Sequence, residues 1–265
     1  MKLKKIISAL FVKLRPETEK FDKIQLNGKN LKTLKKTGIN DKFDTDDFWF
    51  NSLAQNSTIL YDVGCNVGKT ALIALTNDNM KQVVLVDTNP EALCLAINNL
   101  IYNNYIHMSN SFLGFVSDKN DEELDFYTVG HGAAGSMFKS HAETASMMGM
   151  SFKVQTVTLD SLVEHFKSIP DFIKIDVEGA EIFVLNGAKE VAKSNKIKIL
   201  VEMHSNKEIT MAENTEKVID WCKDVGYGAW YLSDKLKLVN SEPVKHRGRC
   251  HFLLIPFEDD FPEYL

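Results

Sequence analysis

The chain has 265 residues, about twice the usual size of one domain, so it can bury a large core. Hydrophobic residues make up 44% and charged residues 25%, with only 14 glycines and 6 prolines, which excludes a fibrous or mostly disordered chain. The net charge of −5 provides no overall positive field for a phosphate backbone, so we expect no nucleic-acid partner.

The first fifteen residues carry basic side chains around the apolar run IISALFV. This pattern predicts a helix at the start of an N-terminal helical cap over residues 1–50, and weak contact of residues 1–15 with a membrane surface is the alternative. No apolar run reaches the roughly 20 residues that a membrane-spanning helix needs, so we expect no transmembrane segment.

The four cysteines are far apart in the sequence and form no C-x-x-C pair. Paired spacing is typical of zinc sites and redox motifs, and it is missing here. We therefore expect reduced thiols in a cytoplasmic protein.

From residue 51 onward, strand-like and helical patterns alternate. TILYDVG and QVVLVD predict strands, whereas KTALIALTND and NPEALCLAINNLIYNN predict helices, the second with Pro90 in its first turn. Further strands are predicted in residues 172–176 and 196–204. Such alternation is typical of parallel βαβ units, so we predict one α/β domain over residues 51–265, Rossmann-like and doubly wound, with a mostly parallel sheet.

Residues 130–150 interrupt this pattern with small residues and methionines. The segment is too long for an ordinary connection, which favours a lid or a binding loop. A disordered surface excursion is the alternative.

The segment from Asp62 to Gly68 predicts a ligand site, because it ends a strand and begins a helix at the carboxyl end of the sheet. Gly64 and Gly68 allow close approach of a ligand to the backbone. Asn66 stands where a dinucleotide fingerprint requires glycine, and the spacing before Gly68 is one residue short of a P-loop.

The acids near this turn favour S-adenosylmethionine as the ligand. Asp62 at the strand end is expected to accept from the ammonium group of an amino-acid tail, and Asp87 at the end of the next strand is expected to accept both ribose hydroxyls. Two ordinary turns with capping acids are the alternative.

A second polar group follows two later strands. Asp176 ends residues 172–176 and Glu178 follows it, and His204 ends residues 196–204 just after Glu202. If these strands are neighbours, the acids and the imidazole converge, an arrangement that suits proton abstraction. Glu181 is expected only to cap the following helix.

These residues resemble those of the FkbM-type methyltransferases, a branch of the class I S-adenosylmethionine-dependent enzymes. The similar blocks are YDVGCNVGKT, TVTLDSL, DFIKIDVEGAEIFVLNGA, ILVEMH and HFLLIP, over roughly residues 57 to 257. The resemblance implies a seven-stranded Rossmann-like sheet and O-methylation, often of a sugar hydroxyl in a glycan, lipid or natural product. It implies cofactor contacts for Asp62, Gly64, Asn66, Gly68 and Asp87.

For the reaction we expect Asp176, Glu178 or His204 to act as the general base that takes the acceptor's proton. A divalent cation held by Asp176, Glu178 and Glu202 is the less favoured alternative, and we expect no resident metal ion. A non-catalytic adenosine-binding protein that acts through residues 130–150 is the competing function.

Overall fold

The computed structural model of the chain describes residues 19–130, 135–138, 140, 142–205 and 207–265. Its N-terminal part begins with an antiparallel hairpin, β1 (Phe21–Leu26) and β2 (Lys29–Leu34), followed by helix α1 (Thr45–Gln55). The prediction of a helical cap is therefore wrong for the described part of residues 1–50. The Asn27-Gly28 pair is the local signal for this hairpin, since both residues have a positive φ. The predicted helix and membrane contact of residues 1–15 lie outside the described residues.

Helix α1 is built onto the main core. Asp44 caps it through a capping box with Asp47, and Phe50 and Leu53 are buried beside the first strand of the main sheet. The predicted domain boundary between residues 50 and 51 falls inside this helix. The burial of Phe50 and Leu53 therefore fixes the position of helix α1 on the sheet.

The rest of the chain alternates strands and helices. The further strands, in chain order, are β3 (Ile59–Val63), β4 (Gln82–Asp87), β5 (Ser109–Leu113), β6 (Phe115–Val116), β7 (Glu123–Tyr127), β8 (Ser151–Val157), β9 (Phe172–Ile175), β10 (Lys198–His204), β11 (Tyr227–Tyr231), β12 (Leu236–Lys237) and β13 (Arg249–Pro256). The further helices are α2 (Lys69–Leu75), α3 (Pro90–Tyr102), α4 (Glu143–Met147), α5 (Leu159–Phe166), α6 (Glu181–Asn186), α7 (Lys189–Ser194) and α8 (Met211–Val225).

The main sheet has the strand order β12-β11-β13-β10-β9-β3-β4-β5. The five strands from β10 to β5 are parallel, and β13, β11 and β12 continue the sheet antiparallel to their neighbours. A mostly parallel α/β sheet is thus confirmed. Within the described residues this sheet has eight strands rather than the expected seven, because the two-residue strand β12 pairs with the edge of β11.

A separate three-stranded sheet, in the order β6-β8-β7, stands beside the main one. It has its own small core of Phe115, Phe126 and Val154. The sequence pattern of β7 predicts an exposed strand but does not indicate which sheet it joins. This small sheet forms one wall above the carboxyl end of β4.

Apolar side chains cover both faces of the main sheet. Tyr61, Val84 and Ile173 belong to the core on one face, and Leu60 and Val83 belong to the core on the other. Burial on both faces explains the nearly continuous apolar runs of these strands. No helix in the described part of the chain is long and apolar enough to cross a membrane.

Candidate active site

A cleft opens at the carboxyl ends of β3, β4 and β9, where parallel sheets bind ligands. It holds about 680 Å³ of empty space, part of which is open solvent. Its walls include Gly64, Asn66, Asp87, Phe126, Asp176 and Glu178.

The turn after β3 has a backbone that requires glycine at two positions. Gly64 and Gly68 both have φ of 83°, in the left-handed region. A Cβ on Gly64 would lie 1.8 Å from the carbonyl oxygen of Asp176, so glycine here lets the turn pass directly against the loop after β9. A Cβ on Gly68 would lie 2.9 Å from the Cβ of Ala96, so glycine there lets α2 pack on α3. Gly68 does not line the cleft.

Asp87 ends β4, as the sequence predicts, and faces the cleft. Its two carboxylate oxygens accept the backbone N–H groups of Asn66 at 2.7 Å and Asn89 at 2.8 Å. Burial raises the pKa of Asp87 to about 6. Each oxygen keeps a further lone pair, so this carboxylate is oriented to accept the hydroxyls of a ligand.

Asp62 is not on the cleft wall. Its side chain is fully buried beneath the turn, where Thr70 Oγ1 donates to Asp62 Oδ2 at 2.6 Å and Lys174 Nζ lies 3.9 Å from Oδ1. Burial raises the pKa of Asp62. In this arrangement Asp62 supports the turn from below, and a direct contact with an amino-acid tail stays a prediction.

Lys174 is a site residue that the sequence analysis missed. Its ammonium group lies 3.1 Å from Asp176 Oδ2 and so joins the support of the first turn to the second acidic group. Burial alone would lower the pKa of Lys174, but Asp176 and Asp62 raise it above its ordinary value. The one lysine in the otherwise apolar strand FIKI was the available signal, since a buried lysine needs a carboxylate partner.

The loop after β9 brings Asp176 and Glu178 to the cleft. Asp176 N donates to the carbonyl oxygen of Val63, which fixes the loop against β3. Glu178 adopts a φ of 53°, and its carbonyl oxygen accepts from Ser136 Oγ at 2.9 Å. A non-glycine residue in the left-handed region costs on the order of 1 kcal/mol and is frequent at functional sites.

His204 lies among three carboxylates. Its Nδ1 is 2.9 Å from Glu181 Oε1, and its Nε2 is 3.6 Å from both Glu178 Oε2 and Glu202 Oε1. Burial lowers the pKa of His204, but the hydrogen bonds with Glu181 and Glu202 outweigh it and raise the pKa to about 10. His204 is therefore an imidazolium ion at neutral pH and donates to these carboxylates.

Glu181 does not cap helix α6, contrary to our expectation. Its side chain is fully buried, and Oε1 accepts from the backbone N–H of Gly179 at 2.8 Å as well as binding His204. It is thus a positioning residue for the imidazole. The helix-start position of Glu181 suggested a dipole effect, whereas burial decides its actual partner.

Strands β9 and β10 are neighbours, as the convergence of the two acidic groups requires. Donor atoms of Asp176, Glu202 and His204 lie within 4.8 Å of one another, a spacing that a divalent cation can bridge. Both carboxylates of this group already have a cation beside them: Lys174 lies 3.1 Å from Asp176, and Arg249 lies 3.0 Å from Glu202.

The site continues past β10 to groups that the sequence analysis did not connect with it. Arg249 Nη1 and His251 Nε2 lie 3.0 Å and 3.3 Å from the two oxygens of Glu202. Asp46 of α1 lies 3.5 Å from His251 Nδ1 and 3.8 Å from Arg249 Nη2. The i, i+2 spacing of Arg249 and His251 on one face of β13 was the available signal.

Comparison with known families decides the chain's membership. The model of the methyltransferase FkbM domain matches residues 62–228, more than half of the chain. The chain belongs to the FkbM methyltransferase family. The matched range of this FkbM-family chain contains the glycine turn, Asp87 and the whole acidic loop after β9.

Three solved structures illustrate similar folds at low identity. The methyltransferase FkbM of Methylobacillus flagellatus KT has a TM-score of 0.46 and 13% identity, and the similarity covers 75% of this chain and 44% of that one. Precorrin-6y C5,15-methyltransferase of Geobacter metallireducens GS-15 has a TM-score of 0.44, 10% identity and coverage of 84% and 92%. TYW2 of M. jannaschii, solved with AdoMet, has a TM-score of 0.42, 12% identity and coverage of 91% and 86%.

The FkbM-family chain thus spans less than half the length of the first of these chains. No curated protein matches its sequence.

Proposed function

We propose that the protein transfers a methyl group from S-adenosylmethionine to a hydroxyl oxygen, in a sugar of a glycan, lipid or natural product. One observation carries the proposal: a single cleft has Asp87 at the tip of β4 and Asp176 and Glu178 after β9. The tip of β3 lies between the tips of β4 and β9, so two strand spacings, about 10 Å, separate Asp87 from the acids after β9. The cleft thus has one end for a ribose and another for a reacting hydroxyl.

The described residues fit this cofactor. The backbone of the turn at Gly64 lines the cleft, close against the loop at Asp176, and Asp87 presents oriented acceptors to the same cleft. Phe115 and Phe126 give the cleft an apolar wall near β4, suited to a flat base. In our proposal Gly64, Asn66 and Asp87 contact the cofactor, while Asp62 and Gly68 shape the turn that holds it.

S-adenosylmethionine, when bound, supplies a methyl group that is already activated on a sulfonium ion. The protein therefore has to position the acceptor, exclude water and accept one proton. We propose that Asp176 or Glu178 takes the proton of the acceptor hydroxyl as its oxygen bonds to the methyl carbon. His204 and Lys174, both cationic, hold these carboxylates in place.

The test separates cofactor binding from turnover. Calorimetry with S-adenosylhomocysteine measures binding, and release of the methyl group to a panel of neutral glycosides measures transfer. We expect Asp176→Asn to retain binding within about twofold and to lose about a hundredfold or more in turnover, since general-base catalysis is worth 10²–10⁴-fold. Glu178→Gln shows whether the second carboxylate carries the same step.

Glu164→Gln, an exposed acid on α5, is the matched control and should leave both quantities unchanged. Cofactor binding without transfer to any acceptor would support the adenosine-binding alternative that acts through residues 130–150. Equal loss of binding and turnover in Asp176→Asn would contradict the division of roles proposed here.

We further propose a reducing compartment such as the cytoplasm. Cys65, Cys222 and Cys250 are buried thiols, and Cys94 is an exposed one.

A further inference from the structure

The order of strand tips gives the cleft a direction. Asp87 stands at the tip of β4, the turn with Gly64 follows β3, and Asp176 follows β9. If the proposed function holds, the ribose lies over β4 and the methyl group over β3 and β9. The next tip in the sheet is that of β10, with Glu202 and His204, so the acceptor has to approach from there.

The start of β13 lies beside the tip of β10. The antiparallel register pairs Glu202 with His251 and His204 with Arg249. Arg249 has 61% of its side chain exposed, and its five N–H donors exceed what its contacts with Glu202 and Asp46 require. This guanidinium is available to donate to the hydroxyls of a molecule bound beside the tip of β10.

The amino end of helix α1 packs against the start of β13. Asp46 and Trp49 are three residues apart and therefore share one face of the helix. That face meets β13, because the Trp49 and His251 rings have centroids 5.5 Å apart and Asp46 contacts both His251 and Arg249. Trp49 is half-buried and packs partly against the core of the sheet.

The charges of the region select among acceptors. The region has more carboxylates than cations. Its cations are Lys174, Arg249 and the His204 imidazolium. Its carboxylates are those of Asp46, Asp62, Asp176, Glu178, Glu181 and Glu202. A phosphate or carboxylate group on the acceptor would be repelled here, whereas hydroxyl and amino groups would find acceptors.

We propose that Asp46, Trp49 and Arg249 form an acceptor subsite for an uncharged or amine-bearing sugar ring, and that this subsite rejects anionic acceptors. The electron-rich indole face of Trp49 attracts the partly positive C–H groups of the sugar ring. Asp46 and Arg249 bind its hydroxyls, and the reacting hydroxyl points toward Asp176 and Glu178. The inference rests on the proposed function for the direction of the cleft.

The test is saturation-transfer NMR on the full chain loaded with S-adenosylhomocysteine. The probes are methyl α-glucoside, its 6-phosphate, the corresponding glucuronide and methyl glucosaminide. We expect the neutral and amine-bearing glycosides to bind and the two anionic ones to bind at least tenfold more weakly. No binding of the neutral and amine-bearing probes, or equal binding of the anionic ones, would overturn the proposal.

Trp49→Ala should weaken neutral glycoside binding about tenfold, the size expected for loss of an aromatic stacking contact. Phe48→Ala is the matched control, since Phe48 is the neighbouring aromatic residue of α1, 59% exposed and turned by about 100° around the helix from Trp49. Asp46→Asn tests the polar contacts without removing bulk. Glycoside binding that is the same in Trp49→Ala, Phe48→Ala and the unmodified chain would overturn the subsite.

The affinity for S-adenosylhomocysteine separates this inference from the proposed function. An unmodified chain that does not bind S-adenosylhomocysteine contradicts the proposed function. A chain that methylates a glycoside with the same KM in Trp49→Ala as in the unmodified protein contradicts the subsite alone.

Discussion

The ammonium group of Lys174 lies 3.1 Å from the carboxylate of Asp176, at the point where β9 ends and the acidic loop begins. The same group lies 3.9 Å from Asp62 beneath the glycine turn. One buried cation therefore holds both halves of the site, the turn that follows β3 and the loop that follows β9.

Replacing Lys174 with Met should destabilise the protein strongly, because it leaves the fully buried carboxylate of Asp62 without a cation. We expect a loss of about 3–5 kcal/mol in the free energy of unfolding, measured by urea denaturation. Lys223→Met, which breaks an exposed ion pair with Asp220 on α8, should have no measurable effect. The double variant Asp62→Asn, Lys174→Met should recover part of the loss, and recovery of none would contradict this pairing.

The pKa of His204 provides a second prediction. Its value of about 10 depends on Glu181, so Glu181→Gln should lower the pKa of His204 toward its ordinary value of 6.5. Imidazole resonances followed by NMR across the pH range measure this directly. A pKa that stays near 10 in the variant would show that Glu178 and Glu202 suffice to hold the proton.

The same interaction has a consequence for stability. Because the folded state raises the pKa of His204, the stabilisation is complete below about pH 6.5 and is lost as the pH rises through about 10. Urea denaturation at intervals over this range should show a decline in the free energy of unfolding that is smaller in Glu181→Gln. Glu190→Gln, a change on α7, should decline like the unmodified protein.

Asp87 should make cofactor binding sensitive to acid. Its folded pKa of about 6 lies above the ordinary 3.8, so it becomes protonated in the folded protein as the pH falls through about 6. The affinity for S-adenosylhomocysteine should then fall by up to about tenfold per pH unit, measured by calorimetry. Asp87→Asn should bind more weakly at neutral pH and show no such decline. A decline of equal slope in Asp87→Asn would place the titrating group elsewhere.

The sequence predicted those parts of the fold that depend on local pattern. The apolar runs around Leu60 and Val84 and the Asn89-Pro90 helix start appear where expected, because strand burial and capping are encoded within a few residues. The hairpin at Asn27 was not predicted, although its Asn-Gly pair is a local turn signal. The run LKLV at residues 236–239 does predict a strand, and the structure has the short strand β12 there.

The site was predicted in part for a similar reason. Asp87 and Asp176 follow strands directly, so their place at the sheet edge follows from the strand ends. Lys174 and Glu181 act through partners far away in the sequence or buried behind the loop, which a linear pattern does not show. Trp49 contacts β13 because α1 packs on the sheet, and this tertiary contact joins residues that are far apart in the sequence.

Gly64 allows a test of how closely the two halves of the site must approach. Gly64→Ala places a Cβ 1.8 Å from the carbonyl oxygen of Asp176, a backbone atom that cannot move aside without displacing the acidic loop.

Gly226→Ala is the matched control, since its φ of 79° is similarly left-handed and no atom lies within 4 Å of the added Cβ. The control should lose about 1 kcal/mol in the free energy of unfolding, the cost of alanine in that conformation. Gly64→Ala should lose clearly more and also bind S-adenosylhomocysteine at least tenfold more weakly, because its turn and the loop at Asp176 line the same cleft. Equal stability losses in the two variants, with binding unchanged in Gly64→Ala, would show that the turn and the acidic loop do not need this approach.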